Sequence, residues 1–175
     1  VSTWHAIEAL QTAREACGGA GFIAENQLTQ ARAAQADAAE VAAFREAVDA
    51  ALESLRSDGT PHQPPERVGV MIEVPAAALG ARHVLAPVDF GSLGTNDLAQ
   101  YTMAADRMQG ALSDLLDPWQ PAVLRLIQHT CIVGQANNVA VGVCGEAAAD
   151  PMLACVLTGL GVNSLSAAST AVAGV

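Results

Sequence analysis

Apolar and polar positions change their rhythm near residue 68. Before it, apolar residues recur every three or four positions, the period of a helix with one buried face. Trp4, Ile7, Leu10 and Ala13 mark an amphipathic helix over 2–17, which the run Cys17-Gly-Gly-Ala-Gly-Phe22 stops. A second helix is predicted over 37–56, burying Val41, Phe44, Val48, Leu52 and Leu55 along one side and ending at Ser57-Asp58-Gly59. The stretch 60–67 is polar and proline-rich, so it reads as a loop or hinge. From there on, short apolar runs alternate with helical segments: strands over 68–72, 88–93, 139–143 and 162–165, and helices over 75–85, from about 97, over 121–135 and over 150–159. Strands separated by helices in this way imply right-handed βαβ crossovers and a parallel sheet, hence an α/β fold. Four such units are half of a (β/α)8 barrel.

Composition narrows the function classes. At 175 residues, 51% of them hydrophobic, the chain suits one buried core. The formal charge is -10, and all eight basic residues are scattered arginines, so no basic stripe for nucleic acid exists. An anionic ligand would have to be held by single arginines, backbone amides or a metal ion. Cys17, Cys131, Cys144 and Cys155 lie far apart with no C-x-x-C pair, which argues against a zinc site or a disulfide framework. No apolar run reaches membrane-spanning length and none reads as a signal peptide, so the expectation is a cytoplasmic protein with reduced cysteines.

Functional groups of parallel α/β folds sit at the C-terminal ends of strands, where the following loops share one face. Three strand ends here carry chemistry. Glu73 directly follows the run Val70-Met-Ile72, and a carboxylate there is costly unless it is paired with an arginine or bound to a metal. Asn96 and Asp97 follow the glycine turn of Ser92-Leu-Gly-Thr95; Asp97 either caps the next helix or adds a second hard carboxylate to Glu73, the usual protein share of a Mg²⁺ site. Cys144, between Gly142 and Gly145, is either an inert buried thiol or one open to a ligand, with Glu146 nearby to tune it.

Taken together, Val70-Met-Ile-Glu-Val-Pro-Ala-Ala-Ala78, Ser92-Leu-Gly-Thr-Asn-Asp-Leu-Ala-Gln-Tyr-Thr102 with Asp106-Arg107, Asp117-Pro118 with Gln120-Pro-Ala-Val-Leu-Arg-Leu126, and Gly142-Val-Cys-Gly-Glu146 with Asp150-Pro151 resemble the phosphoenolpyruvate-binding barrel of the enzyme I family, the phosphoenolpyruvate-protein phosphotransferases of the bacterial sugar phosphotransferase system. The resemblance covers about 37–175 and implies the C-terminal half of a TIM (β/α)8 barrel. It also implies Glu73 and Asp97 as Mg²⁺ ligands, Asn96 and Arg107 as contacts to the substrate phosphate, and Cys144 as the acid that protonates the enolate carbon. Phosphoenolpyruvate is the implied substrate, and a phosphocarrier protein the downstream partner through a domain this chain lacks; the open edges of a half-barrel make a homo-oligomer, such as a dimer, the expected state. After Arg107 the chain reads Met108-Gln109-Gly110, where the family often has a Gly-Asn pair, which touches one backbone contact to phosphate.

The residues before the second helix look different. No strand is evident just ahead of Asp37. Trp4-His5-Ala6, Arg14-Glu-Ala-Cys-Gly-Gly-Ala-Gly-Phe22 and Ala24-Glu-Asn-Gln-Leu28 resemble a piece of the C-terminal helical domain of flavin-dependent acyl-CoA oxidases and dehydrogenases. The expected organisation is therefore a helical segment over 1–35 and a barrel portion over 36–175. None of His5, His62, His83 and His129 lies in a phospho-acceptor motif, so the family's activity is expected to be incomplete in this chain alone. Two other readings stand beside it: a non-catalytic half-barrel that binds a partner or dimerises through its open sheet edges, and a flavin-associated oxidase fragment.

Overall fold

The computed structural model describes residues 28–32 and 38–175. Its core is one parallel sheet of five strands in the order β1-β2-β3-β4-β5: β1 (Leu28–Arg32), β2 (Arg67–Ile72), β3 (Phe90–Gly94), β4 (Ala140–Cys144) and β5 (Ser164–Ser166). Every strand pairs with its neighbour in sequence, and all pairs are parallel. A doubly wound sheet reverses strand order at a switch point, whereas a barrel keeps adding strands on the same side. The uninterrupted order is that of a (β/α)8 barrel segment.

Between the strands lie α1 (Ala38–Ser57), α2 (Pro75–Leu79), α3 (Ala81–Leu85), α4 (Thr95–Met103), α5 (Pro121–Ala136) and α6 (Pro151–Gly159). The helix expected over 75–85 is two short helices. Gly80 closes the first through its N–H to Ala76 O (2.9 Å) and opens the second, its carbonyl accepting from His83 N (2.9 Å). Alternation along the strands sends Val70 and Ile72, Leu93, and Val141 and Val143 into the layer between sheet and helices, where they join Leu85, Ile127, Leu153 and Leu157 in one buried cluster. The opposite, concave face is lined by smaller or more polar groups, including Ser92, Gly94, Gly142, Cys144 and Ser164.

The residues near 28–32 correct two expectations. A strand, β1, stands where none was evident and where the acyl-CoA-oxidase-like reading puts a helix; it pairs with β2 from Leu28↔Arg67 to Arg32↔Met71. Leu-Thr-Gln-Ala-Arg carries too few apolar residues to announce a strand, and the exposed backbone edge of β2 recruits it. The helix read over 2–17, with His5 and Cys17, lies outside the described residues. Among the described residues, no helix is long and apolar enough to cross a membrane.

The two ends of the sheet differ in character. At the N-terminal end, Arg45 of α1 donates to the Pro87 carbonyl (3.2 and 3.1 Å) and to Asp89 (3.2 Å), whose carboxylate also accepts from Val68 N (2.8 Å). These bonds close the α1 layer, where Phe44, Val48 and Ala51 pack on Val68. Near the other end, Asp150 caps α6 by accepting from Met152 N (2.8 Å) and Leu153 N (3.1 Å), and Trp119 Nε1 donates to its second oxygen (3.3 Å), tying the approach to α5 onto α6.

The Leu153 N–H, more than the Met152 N–H and the Trp119 indole, holds the Asp150 carboxyl below its ordinary value of 3.8. A carboxylate depressed in the folded state contributes its stability in full above the unfolded value and loses it as pH falls through the lower folded one. Asp150→Asn keeps a competent cap but removes this titration. The Tm advantage of the native protein over the variant should therefore narrow as pH drops from about 5 to below 3.8. Parallel Tm curves for the two proteins across that range would remove Asp150 from the acid response.

Candidate functional site

Strand register brings the chemistry to one edge. Ile72 pairs with Leu93, Gly94 with Cys144, and Cys144 with Ser166, so the strands stop together. Glu73, one residue beyond Ile72, extends over β3: a Cβ placed on Gly94 would lie 3.0 Å from Glu73 Cβ and 3.1 Å from its Oε2. Only a residue without a side chain leaves that carboxylate its place. α4 begins at once, with Thr95, Asn96 and Asp97 as its first turn.

Asp97 does not cap that helix; the N-cap is Gly94, and no side chain caps it. Its carboxylate instead accepts from Arg107 Nη2 at 2.5 Å. The chain reverses to allow this. Ala104 takes a left-handed conformation (φ 52°), Ala105 N bonds back to Gln100 O at 3.0 Å, and Asp106 accepts from Met108 N at 2.8 Å, which holds Arg107 in the bend. The change to Met108-Gln109-Gly110 thus follows the arginine without displacing it.

Cys144 ends β4 half-buried. Its thiol donates to the Leu93 carbonyl and accepts from Ser92 Oγ, both at 3.5 Å, a long but ordinary separation for sulfur. Two neighbours grip the turn that follows. Thr95 Oγ1 donates to the Cys144 carbonyl at 2.9 Å, and Asn96 Oδ1 accepts from Glu146 N at 3.2 Å. Gly145, between them, has φ 105°, and a Cβ there would meet Thr95 Oγ1 at 2.8 Å and Asn96 Oδ1 at 2.9 Å. With Oδ1 engaged, Asn96 has its Nδ2 donors left for a ligand.

Four of the five residues singled out from sequence, Glu73, Asn96, Asp97 and Cys144, therefore fall at or just after adjoining strand ends; Arg107, in the bend after α4, joins them through Asp97, and Asn96 is bound to the turn after Cys144. Ser92, Thr95 and Gly145 were not singled out. Their roles depend on the β3–β4 register, which no local pattern displays; the one hint was two hydroxyls flanking Gly94 in the Ser92–Asp97 turn. Two hard carboxylates, Glu73 against Gly94 and Asp97 three residues later in the same turn, fit the donor set Mg²⁺ takes from protein. Among the described residues no group of three or more His, Cys, Asp or Glu gathers, as a zinc site would require. An open hollow of about 400 Å³ lined by Gln100, Tyr101, Ala104, Ala105 and Asp106 contains none of the five.

Residues 35–175 match the family model described as PEP-utilising enzyme, PEP-binding domain. Among curated proteins, the chain is 64% identical over 100 residues to the phosphoenolpyruvate-protein phosphotransferase of Streptomyces coelicolor, covering 57% of this chain and 18% of that protein. It is 44% identical over 133 residues to the protein of the same description from Haloferax volcanii, covering 76% and 23%. It is 49% identical over 111 residues to the multiphosphoryl transfer protein of Rhodobacter capsulatus, covering 63% and 13%. The chain thus spans less than a quarter of the length of these relatives.

Thiol accessibility tests the placement of Cys144. Cys155 is exposed, Cys144 half-buried and Cys131 buried, with burial pushing the Cys131 thiol up to about 11. A small alkylating reagent at neutral pH, with products located by peptide mass spectrometry, should modify Cys155 first, Cys144 next, and Cys131 only on unfolding. Modification of Cys144 as slow as that of Cys131 would show a thiol closed to ligands.

Proposed function

Because the chain belongs to the PEP-utilising enzyme family, through its PEP-binding domain, we propose that it binds phosphoenolpyruvate and Mg²⁺ at Glu73, Asn96, Asp97, Arg107 and Cys144, as part of a cytoplasmic, oligomeric phosphoenolpyruvate-protein phosphotransferase serving sugar uptake. The observation that carries this reading is the shared strand edge: the β2–β3–β4 register sets the Glu73 carboxylate, the Asn96-Asp97 turn with its Arg107 partner, and the Cys144 thiol side by side.

Each residue's part follows from its chemistry. Glu73 and Asp97 would hold the metal. Once bound there, Mg²⁺ supplies a Lewis-acid charge for substrate oxygens. Arg107, aimed by Asp97, offers a planar fork to phosphate oxygens, and Asn96 Nδ2 adds a neutral donor. In a chain of net charge -10 these donors must offset a repulsive field, which gives each one weight. The phosphoryl group leaves phosphoenolpyruvate for a histidine of a separate phospho-acceptor domain, and the remaining enolate gains a C–H bond at its methylene carbon as the Cys144 S–H bond breaks, giving pyruvate and a thiolate that water reprotonates. Transfer requires the acceptor in line with the phosphoryl group, so residues 1–175 alone should bind without appreciable turnover.

Calorimetric titration with phosphoenolpyruvate in the presence of Mg²⁺ tests the proposal. Saturable binding is expected, abolished by Asp97→Ala and weakened about ten- to a hundredfold by Arg107→Ala, the loss of a charge-assisted contact. No binding at millimolar ligand, together with a concentration-dependent dimer in sedimentation, would favour an interaction module instead.

A further inference from the structure

We infer that Thr95 is a positioning residue that couples the ligand-binding turn of β3–α4 to the Cys144 thiol; the inference deepens the reading above and rests on it. Thr95 is 3% exposed, one of three buried polar residues among those described. A threonine there is expensive unless its hydroxyl has a partner. The partner is the Cys144 carbonyl at 2.9 Å, 49 residues away, on the strand that ends at the thiol. The next residue, Asn96, makes a second bond across the same gap, its Oδ1 accepting from Glu146 N at 3.2 Å. Thr95 and Asn96 therefore hold the residues on either side of Gly145, and Gly145 sits against both side chains with no space for a Cβ.

This clamp has a mechanical consequence. Asn96 and Asp97 occupy the same helical turn as Thr95, so a ligand that moves them acts on Cys144 O and Glu146 N through direct hydrogen bonds of 2.9 and 3.2 Å. The thiol has only weak restraints of its own, two contacts at 3.5 Å to Ser92 Oγ and Leu93 O. Its position above a reacting carbon is consequently set by the backbone that carries it, and Thr95 holds that backbone. The side chain of Thr95 is turned to the Cys144 carbonyl, so its role is to place the acid and not to touch substrate.

The test compares Thr95→Val, which keeps shape and deletes the hydroxyl, with Thr95→Ser, which keeps the hydroxyl. The readout is the alkylation rate of Cys144 relative to Cys155 in the same molecule, which needs no ligand and so stands whether or not phosphoenolpyruvate binds. Thr95→Val should raise that ratio about two- to tenfold, the population change from losing one hydrogen bond, while Thr95→Ser stays near the native ratio. Unchanged ratios in Thr95→Val, or equal changes in both variants, would overturn the inference. Should Thr95→Val fail to fold, amide exchange in the native chain decides: the Glu146 N–H, beyond the end of β4, should exchange more slowly than a free loop amide, and exchange at the free-loop rate would overturn the clamp. With phosphoenolpyruvate and Mg²⁺ added, native protein should show slowed Cys144 alkylation. Binding by calorimetry without such slowing contradicts the coupling, whereas absent binding with a responsive Thr95→Val contradicts the substrate reading only.

Discussion

Parallel pairing in register at the C-terminal end of β2, β3 and β4 is the constraint on which the rest depends. Parallel strands twist and hydrogen-bond evenly, so where one stops its neighbour determines what the next turn can reach. Gly94 opposite Cys144, and Ile72 opposite Leu93, convert residues 50 and 21 positions apart in sequence into adjacent groups. A one-residue slip of β4 would send Cys144 into the helix layer and bring Val143 to the concave face. Register in turn is held by the buried layer of Ile72, Leu93, Val141 and Val143, whose apolar partners lie on the helix side of the sheet.

Much of this was legible in the chain. Alternation at Val68, Val70 and Ile72, and the apolar runs before Gly94 and Cys144, marked three strands to within two residues, because every second residue of a strand packed against the helix layer must be apolar. Proline at the first turn of α2, α5 and α6 marked their starts. What stayed hidden was long-range. β1 takes its conformation from the edge of β2 rather than from Leu-Thr-Gln-Ala-Arg itself, and the break at Gly80 reflects docking of two short helices on the core. Glu73, Asn96, Asp97 and Cys144 are candidates by residue type at strand ends, and Arg107 is one through the family resemblance, whereas Ser92, Thr95 and Gly145 acquire meaning only through contacts 49 to 52 residues distant.

The two ends of the sheet spend polar groups differently. Arg45, Asp89 and Val68 close an end where their bonds only hold α1 in place. At the other end the Asp97–Arg107 pair is half-exposed, and surface pairs of that kind contribute about 1 kcal/mol or less to stability. Its value lies in orientation: the pair fixes the long Arg107 side chain against the first turn of α4, in a protein whose net charge of -10 would otherwise disfavour an anion.

Paramagnetic broadening tests most directly whether these strand ends form one cation-dependent site. With Mn²⁺ added in place of Mg²⁺ to isotope-labelled protein, the amide signals of Glu73, Gly94, Asn96, Asp97 and Gly145 should broaden first and together, while those of Val68 and Asp89 at the opposite end of the sheet remain sharp. Broadening that begins instead at acidic surface residues such as Glu53 and Asp58, or that spreads evenly over the acidic chain, would contradict the account.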